Sequence, residues 1–99
     1  MKKILYLHLK TKYFEQIRCG EKTEEYRLHG NYWCSRLDFT TYDEIHVLKG
    51  YPKKGDSSRR LIFPWNGYQI KKINHPEFGN DEVCVYAIRL CNDDLIEFY

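Results

Sequence analysis

Gly20-Glu21-Lys22-Thr23-Glu24-Glu25-Tyr26-Arg27 is where one periodicity gives way to another. Upstream, Tyr13, Phe14 and Ile17 recur at helical spacing, so residues from about 12 to 19 read as a short helix with one apolar face. Gly20 suits the left-handed residue that closes such a helix. From Lys22 the pattern alternates and reads as a strand to Leu28. Lys22, Glu24, Tyr26 and Leu28 share one face, and Thr23, Glu25 and Arg27 share the other. The apolar pair Tyr26 and Leu28 marks the first face as the partly buried one. A short helix is unstable alone, so it must pack on a sheet, and the chain is α+β. Positions 21–27 also carry five charged side chains, Glu21, Lys22, Glu24, Glu25 and Arg27. Residue types alone weigh a solvated edge strand and a binding site about equally.

The flanks extend this reading. Residues 3–9 alternate, with Leu5, Leu7 and Leu9 on a core face and Ile4, Tyr6 and His8 opposite. A lone histidine in that position is more often structural than catalytic. Thr11 is the expected N-cap of the helix. Trp33 and Leu37, four apart, suit a short helical turn. Asp43 to Lys49 reads as a strand with Ile45 and Val47 inward, then Gly50-Tyr51-Pro52 turns and 53–58 forms a loop. Residues 59–65 form a strand that Pro64 keeps from a central position. Asn66-Gly67 is the strongest hairpin signal, with Tyr68 to Ile73 as the return strand. A loop carries His75 and Glu77. Glu82 to Leu90 is apolar on both faces and is the expected central strand. Residues 92–99 add a short final strand. Five or six mostly antiparallel strands with one or two short helices predict a small β-barrel, because closure removes exposed edges.

The 99 residues make a single domain, 1–99, large enough to bury a modest core without staples. A net charge of +2 is far from the excess of a dedicated duplex binder. Basic residues nonetheless gather at Lys49, Lys53, Lys54, Arg59 and Arg60, then Lys71 and Lys72. Aromatic residues make up 16%, with 9 Tyr, so some rings are expected to line a surface where they can stack on planar ligands. Cys19, Cys34, Cys84 and Cys91 lack the spacing of a zinc or redox motif, which predicts reduced thiols in a cytoplasmic protein. No run is long enough to span a membrane.

Glycine-rich phosphate loops, His-Glu-x-x-His and the serine elbow are all missing. The four histidines lack ligand spacing, so neither a metal nor another cofactor is expected. What remains is Lys22, Glu25 and Arg27, with Glu77 as a candidate second carboxylate. Lys22 could serve as a general base or activate a hydroxyl such as that of Thr23. The alternative is an ion-pair cluster that only orders the strand.

The segments Tyr13-Phe14-Glu15-Gln16-Ile17 and Gly20 to Arg27, together with Tyr32-Trp33 to Arg36-Leu37 and Tyr42-Asp43, resemble the ASCH domain family of the PUA-like superfamily. The likeness covers the first half of the chain and rests on Gly-x-Lys-x-x-Glu-x-Arg after a strand and a helix. It implies a PUA-like barrel with a cleft between the first helix and the signature strand, where RNA or nucleosides bind. Some members of that family are amidohydrolases of N4-acylated cytidine and some are ribonucleases. Lys22 matches the lysine of the amidohydrolase branch; Glu25 stands at that branch's threonine position. The leading expectation is therefore a domain that binds RNA or a modified nucleoside. Lys22 and Glu25 are the candidate catalytic pair. Arg27, Thr23, Tyr26, Tyr51, Arg59 and Trp65 are the candidate ligand contacts, and Tyr6 is a further stacking ring. A hydrolase is the second reading. A protein-interaction module, with an open edge strand inviting a homodimer, is the third.

Overall fold

The structure, a computed structural model, describes residues 2–53 and 56–91. The final strand expected at 92–99 and the basic residue Lys54 lie outside them. Leu5, Leu7 and Leu9 are buried on one face of β1 (Ile4–Leu9), as their alternation requires. β1 runs parallel to β3 (Glu44–Lys49), and β3 pairs antiparallel with β4 (Arg60–Pro64). This sheet has the order β1-β3-β4. A second sheet, β2-β6-β5, is wholly antiparallel and consists of β2 (Glu24–Leu28), β6 (Val83–Arg89) and β5 (Tyr68–Ile73). Pro64 ends an edge strand and β6 is central, both as expected.

Among the described residues the expected closed barrel is not formed: they make two open three-stranded sheets. Charge and proline guard the edges where closure was expected to. β2 carries Glu24, Glu25 and Arg27, β5 carries Lys71 and Lys72, and β4 stops at Pro64. Asn66-Gly67 is likewise not a hairpin. β4 and β5 belong to different sheets, and Trp65 to Gly67 carries the chain from one to the other. The Trp65 N–H donates to Asp43 O at 3.2 Å on one side, and the Arg89 N–H donates to Gly67 O at 3.3 Å on the other. A turn signal specifies a local reversal, and what pairs on either side is decided by packing.

One core joins both sheets and the helices. Phe14 and Ile17 of α1 (Thr11–Arg18) enter it, as do Ile45 and Val47 of β3, Phe63 of β4, and Tyr86 and Ile88 of β6. Full burial of Phe14 and Ile17 is worth about 1.5–3 kcal/mol each. α2 (Asn31–Leu37) contributes Leu37. Thr11 proves to be the first helical residue; the N-cap is Lys10, which makes no side-chain cap bond. The expected inward pair Ile45 and Val47 is joined by Glu44 and His46, buried on the opposite face of β3. His46 Nε2 lies 3.3 Å from Glu44 Oε1, Arg60 donates to His46 Nδ1 at 3.0 Å, and Lys2 pairs with Glu44 at 2.8 Å. Among the described residues, no helix is long and apolar enough to cross a membrane.

Candidate functional site

The end of α1 sets the site. Gly20 takes φ 83°, the left-handed conformation that glycine adopts without strain. Its N–H donates to Ile17 O at 3.1 Å, and the Lys22 N–H reaches back to Gln16 O at 3.0 Å. The chain thus turns beneath the helix before β2 begins. Because Phe14 and Ile17 face the core, Tyr13 falls on the flank of α1. The Lys22 ammonium lies 4.6 Å from the Tyr13 ring centre and 5.3 Å from that of Tyr26, within cation–π range.

β2 then presents Glu25 inward. Only 4% of Glu25 is exposed, whereas Leu28 is exposed, so the buried face is the reverse of the one Tyr26 and Leu28 suggested. The reason is register. Glu25 lies opposite Ile88 and Arg27 opposite Tyr86, both fully buried positions of β6. Glu25 is tolerated there because each oxygen has a cation. Lys22 Nζ is 2.8 Å from Oε1 and Arg27 Nη2 is 3.1 Å from Oε2. Arg27 also donates to His8 O at 3.2 Å and lies 5.4 Å from the Trp33 ring centre. Its Nε is buried without a hydrogen-bond partner.

Lys22, Glu25 and Arg27 form one wall of a cleft of about 200 Å³; His8, Lys10, Tyr13, Tyr26, His75 and Glu77 also line it, with the apolar Leu9 and Phe78. Glu77 accepts from Lys10 at 3.0 Å and from the Tyr13 hydroxyl at 3.2 Å. The Lys10 ammonium, ahead of Tyr13, holds the Glu77 carboxyl below its usual range. Burial and then the Glu77 carboxylate raise the Tyr13 phenol. Burial also raises Tyr26, followed by the charge of Glu24. Lys10, Lys22 and Arg27 against Glu25 and Glu77 leave one positive charge in excess with both histidines neutral. The histidine tautomers are fixed by their neighbours. His8 Nδ1 lies 2.8 Å from Gly50 O, which can only accept, so neutral His8 keeps an acceptor at Nε2. His75 Nδ1 accepts from the Glu77 N–H at 3.2 Å, so neutral His75 carries its proton on Nε2. The cleft therefore sets two imidazole rings and two phenol rings beside a net positive wall.

Lys22, Glu25, Arg27 and Tyr26 meet in this cleft. Tyr51 sits beside it, stacked on His8 with ring centres 4.4 Å apart. Thr23 lines a separate concavity with Glu24, Tyr68 and Arg89. Arg59 pairs with Asp56 at 3.5 Å in the 3₁₀ turn Ser57–Arg59. Trp65 packs against the core between Tyr42 and Tyr68. Tyr6 lies edge-on to His46 and borders a third concavity with Tyr32 and Arg36. Sequence reading missed Lys10 and took Tyr13 only as helix core and His8 only as structure. Nothing local marks Lys10, because its role depends on Glu77, distant in sequence.

A second polar cluster lies at the C-terminus of α2. Asp38 accepts from the Tyr68 hydroxyl at 2.6 Å, from Cys34 Sγ at 3.0 Å and from the Tyr86 hydroxyl at 3.1 Å. The Tyr68 hydroxyl, then the Cys34 thiol, lower the Asp38 carboxyl. In return the hydrogen bond to Asp38 pushes Tyr68 up to about 12 and raises the Cys34 thiol, while burial and then Asp38 raise Tyr86. Among the described residues, no group of three or more His, Cys, Asp or Glu is placed to hold a metal ion. No protein-family model, curated protein or solved structure matches the chain.

Proposed function

We propose that the chain is an ASCH-type domain that binds RNA or a modified nucleoside in the cleft of Lys22, Glu25 and Arg27. The observation that carries this reading is the meeting of three charged residues of the Gly-x-Lys-x-x-Glu-x-Arg segment with aromatic rings on one open cleft. Lys22 and Arg27 meet phosphate or base carbonyl oxygens, and Glu25 accepts from an exocyclic amine or holds Lys22 in place. Tyr13 and Tyr26 supply ring faces to a base. Binding is favoured over hydrolysis through a side-chain nucleophile by what lines the cleft. Among the described residues it has no serine, threonine or cysteine, and Thr23 lies in another concavity.

The test is titration of wild type and Lys22→Ala with short single-stranded RNAs and free nucleosides at low salt. Wild type binds, added salt weakens binding, and Lys22→Ala binds about tenfold more weakly or worse, the scale of one charge-assisted hydrogen bond. No binding by wild type, or equal binding by both proteins, rejects the reading. Turnover of N4-acetylcytidine by wild type would replace it with the hydrolase.

A further inference from the structure

The cleft is small. At about 200 Å³ it falls below the roughly 300–1,000 Å³ typical of pockets that enclose a drug-sized ligand. A planar base fits such a volume, and the sugar and phosphate attached to it must leave over the rim. Next to the lining residue His8 stands Tyr51, 86% exposed. Its inner face stacks on His8, with ring centres 4.4 Å apart and planes 21° from parallel. His8 itself lines the cleft. One aromatic stack thus runs from the cleft wall outward and ends in an uncovered ring.

The stack is held from its backbone. Gly50 takes φ 62°, donates its N–H to Leu9 O at 2.8 Å and lies with its carbonyl 2.8 Å from His8 Nδ1. The turn that places Tyr51 is therefore tied at two points to the end of β1. The exposed Tyr6 and Tyr32 have no such relation to this cleft; they border the concavity beside Arg36.

We infer that the ligand is a single strand of at least two nucleotides, one base entering the cleft and its neighbour stacking on the outer face of Tyr51. This rests on the nucleic-acid reading of the cleft and chooses a strand over a free nucleoside. An exposed ring held parallel to a second ring loses little freedom when a base covers it, and stacking of a base on a ring is tolerant of sequence.

The experiment compares the four homodinucleotides NpN with matched ligands in which the second nucleotide is abasic. Both carry the same phosphate, so their affinity ratio reports the second base alone. Calorimetric titration of wild type is expected to show NpN binding about 5- to 150-fold tighter, the range of one base–ring stack. Tyr51→Ala removes that gain, so that NpN and the abasic ligand bind it equally; Tyr51→Trp keeps the gain. Tyr51 is exposed, so neither variant disturbs the core. Equal affinities of NpN and the abasic ligand for wild type, with both lost in Lys22→Ala, overturn the two-base site and leave the nucleic-acid reading standing. Failure of every ligand to bind wild type overturns that reading and this inference together.

Discussion

Glu25 and Asp38 are two carboxylates that each hold several side chains, Glu25 those of its own segment and Asp38 those of separate elements, and they do so in opposite ways. Glu25 is buried and takes cations, Lys22 and Arg27, and Arg27 keeps a buried Nε donor without a partner. Asp38 takes three neutral donors, Tyr68, Tyr86 and Cys34. A cation can exchange one anionic partner for another, so the Glu25 cluster can open to an incoming phosphate. The hydroxyls on Asp38 gain nothing by leaving it, and they fasten α2 to β5 and β6. The first arrangement is suited to binding and the second to holding the fold. The contrast teaches that buried polarity has to be read by the charge of its partners.

The largest way to break the contrast is Glu25→Gln. It keeps the shape but leaves Lys22 and Arg27, whose side chains are 14% and 21% exposed, sharing a site without a counter-charge. Urea unfolding should show a loss of about 3–5 kcal/mol, as when a buried pair loses one member. A loss under about 1 kcal/mol would mean that the cluster behaves like surface pairs. Asp38→Asn should cost less stability than Glu25→Gln, since the amide keeps one carbonyl acceptor. Its signature is chemical: Tyr68 ionises nearer the ordinary tyrosine value, and Cys34 is alkylated faster than in wild type. Linkage gives the same cluster an alkaline limit. The Tyr68 phenol is raised from 10.0 to about 12, so its contribution is full below pH 10 and is lost as pH rises through about 12. Urea midpoints of wild type should fall across that window, and those of Tyr68→Phe should fall less. The smallest expected effect is that of Tyr13→Phe. The ring beneath Lys22 stays, and only the hydroxyl on Glu77 is lost. The Glu77 carboxyl should rise slightly towards its usual value in an NMR titration, with the fold unchanged.

Much of the framework was legible in the sequence. Leu5, Leu7 and Leu9 announce β1, and the two-sided apolarity of Glu82 to Leu90 announces a central strand. Gly20 marks where the helix ends. Period and turn chemistry are local, and these features are local. The pairing pattern is not. Asn66-Gly67 shows that the chain turns but cannot say that β4 and β5 join different sheets. The face of β2 was misassigned because Glu25 outranks Leu28 for burial only once Lys22 and Arg27 neutralise it. Lys22, Glu25, Tyr26 and Arg27 were legible as a group because they are sequence neighbours. Lys10, His75 and Glu77 come together only through folding, and Thr23, Arg59 and Trp65 were drawn away by partners elsewhere.

The pairing of β2 has a consequence for the timing of assembly. Among the described residues, β2 finds its ladder only in β6, with Glu24 opposite Arg89 and Leu28 opposite Val85. Synthesis from the N-terminus makes the charged half of the cleft early and its supporting strand late. Until Val83 to Arg89 leave the ribosome, β2 has no ladder, and Glu25 has no Ile88 beside it. The nascent chain therefore carries Lys22, Glu25 and Arg27 as solvated charges until β6 follows.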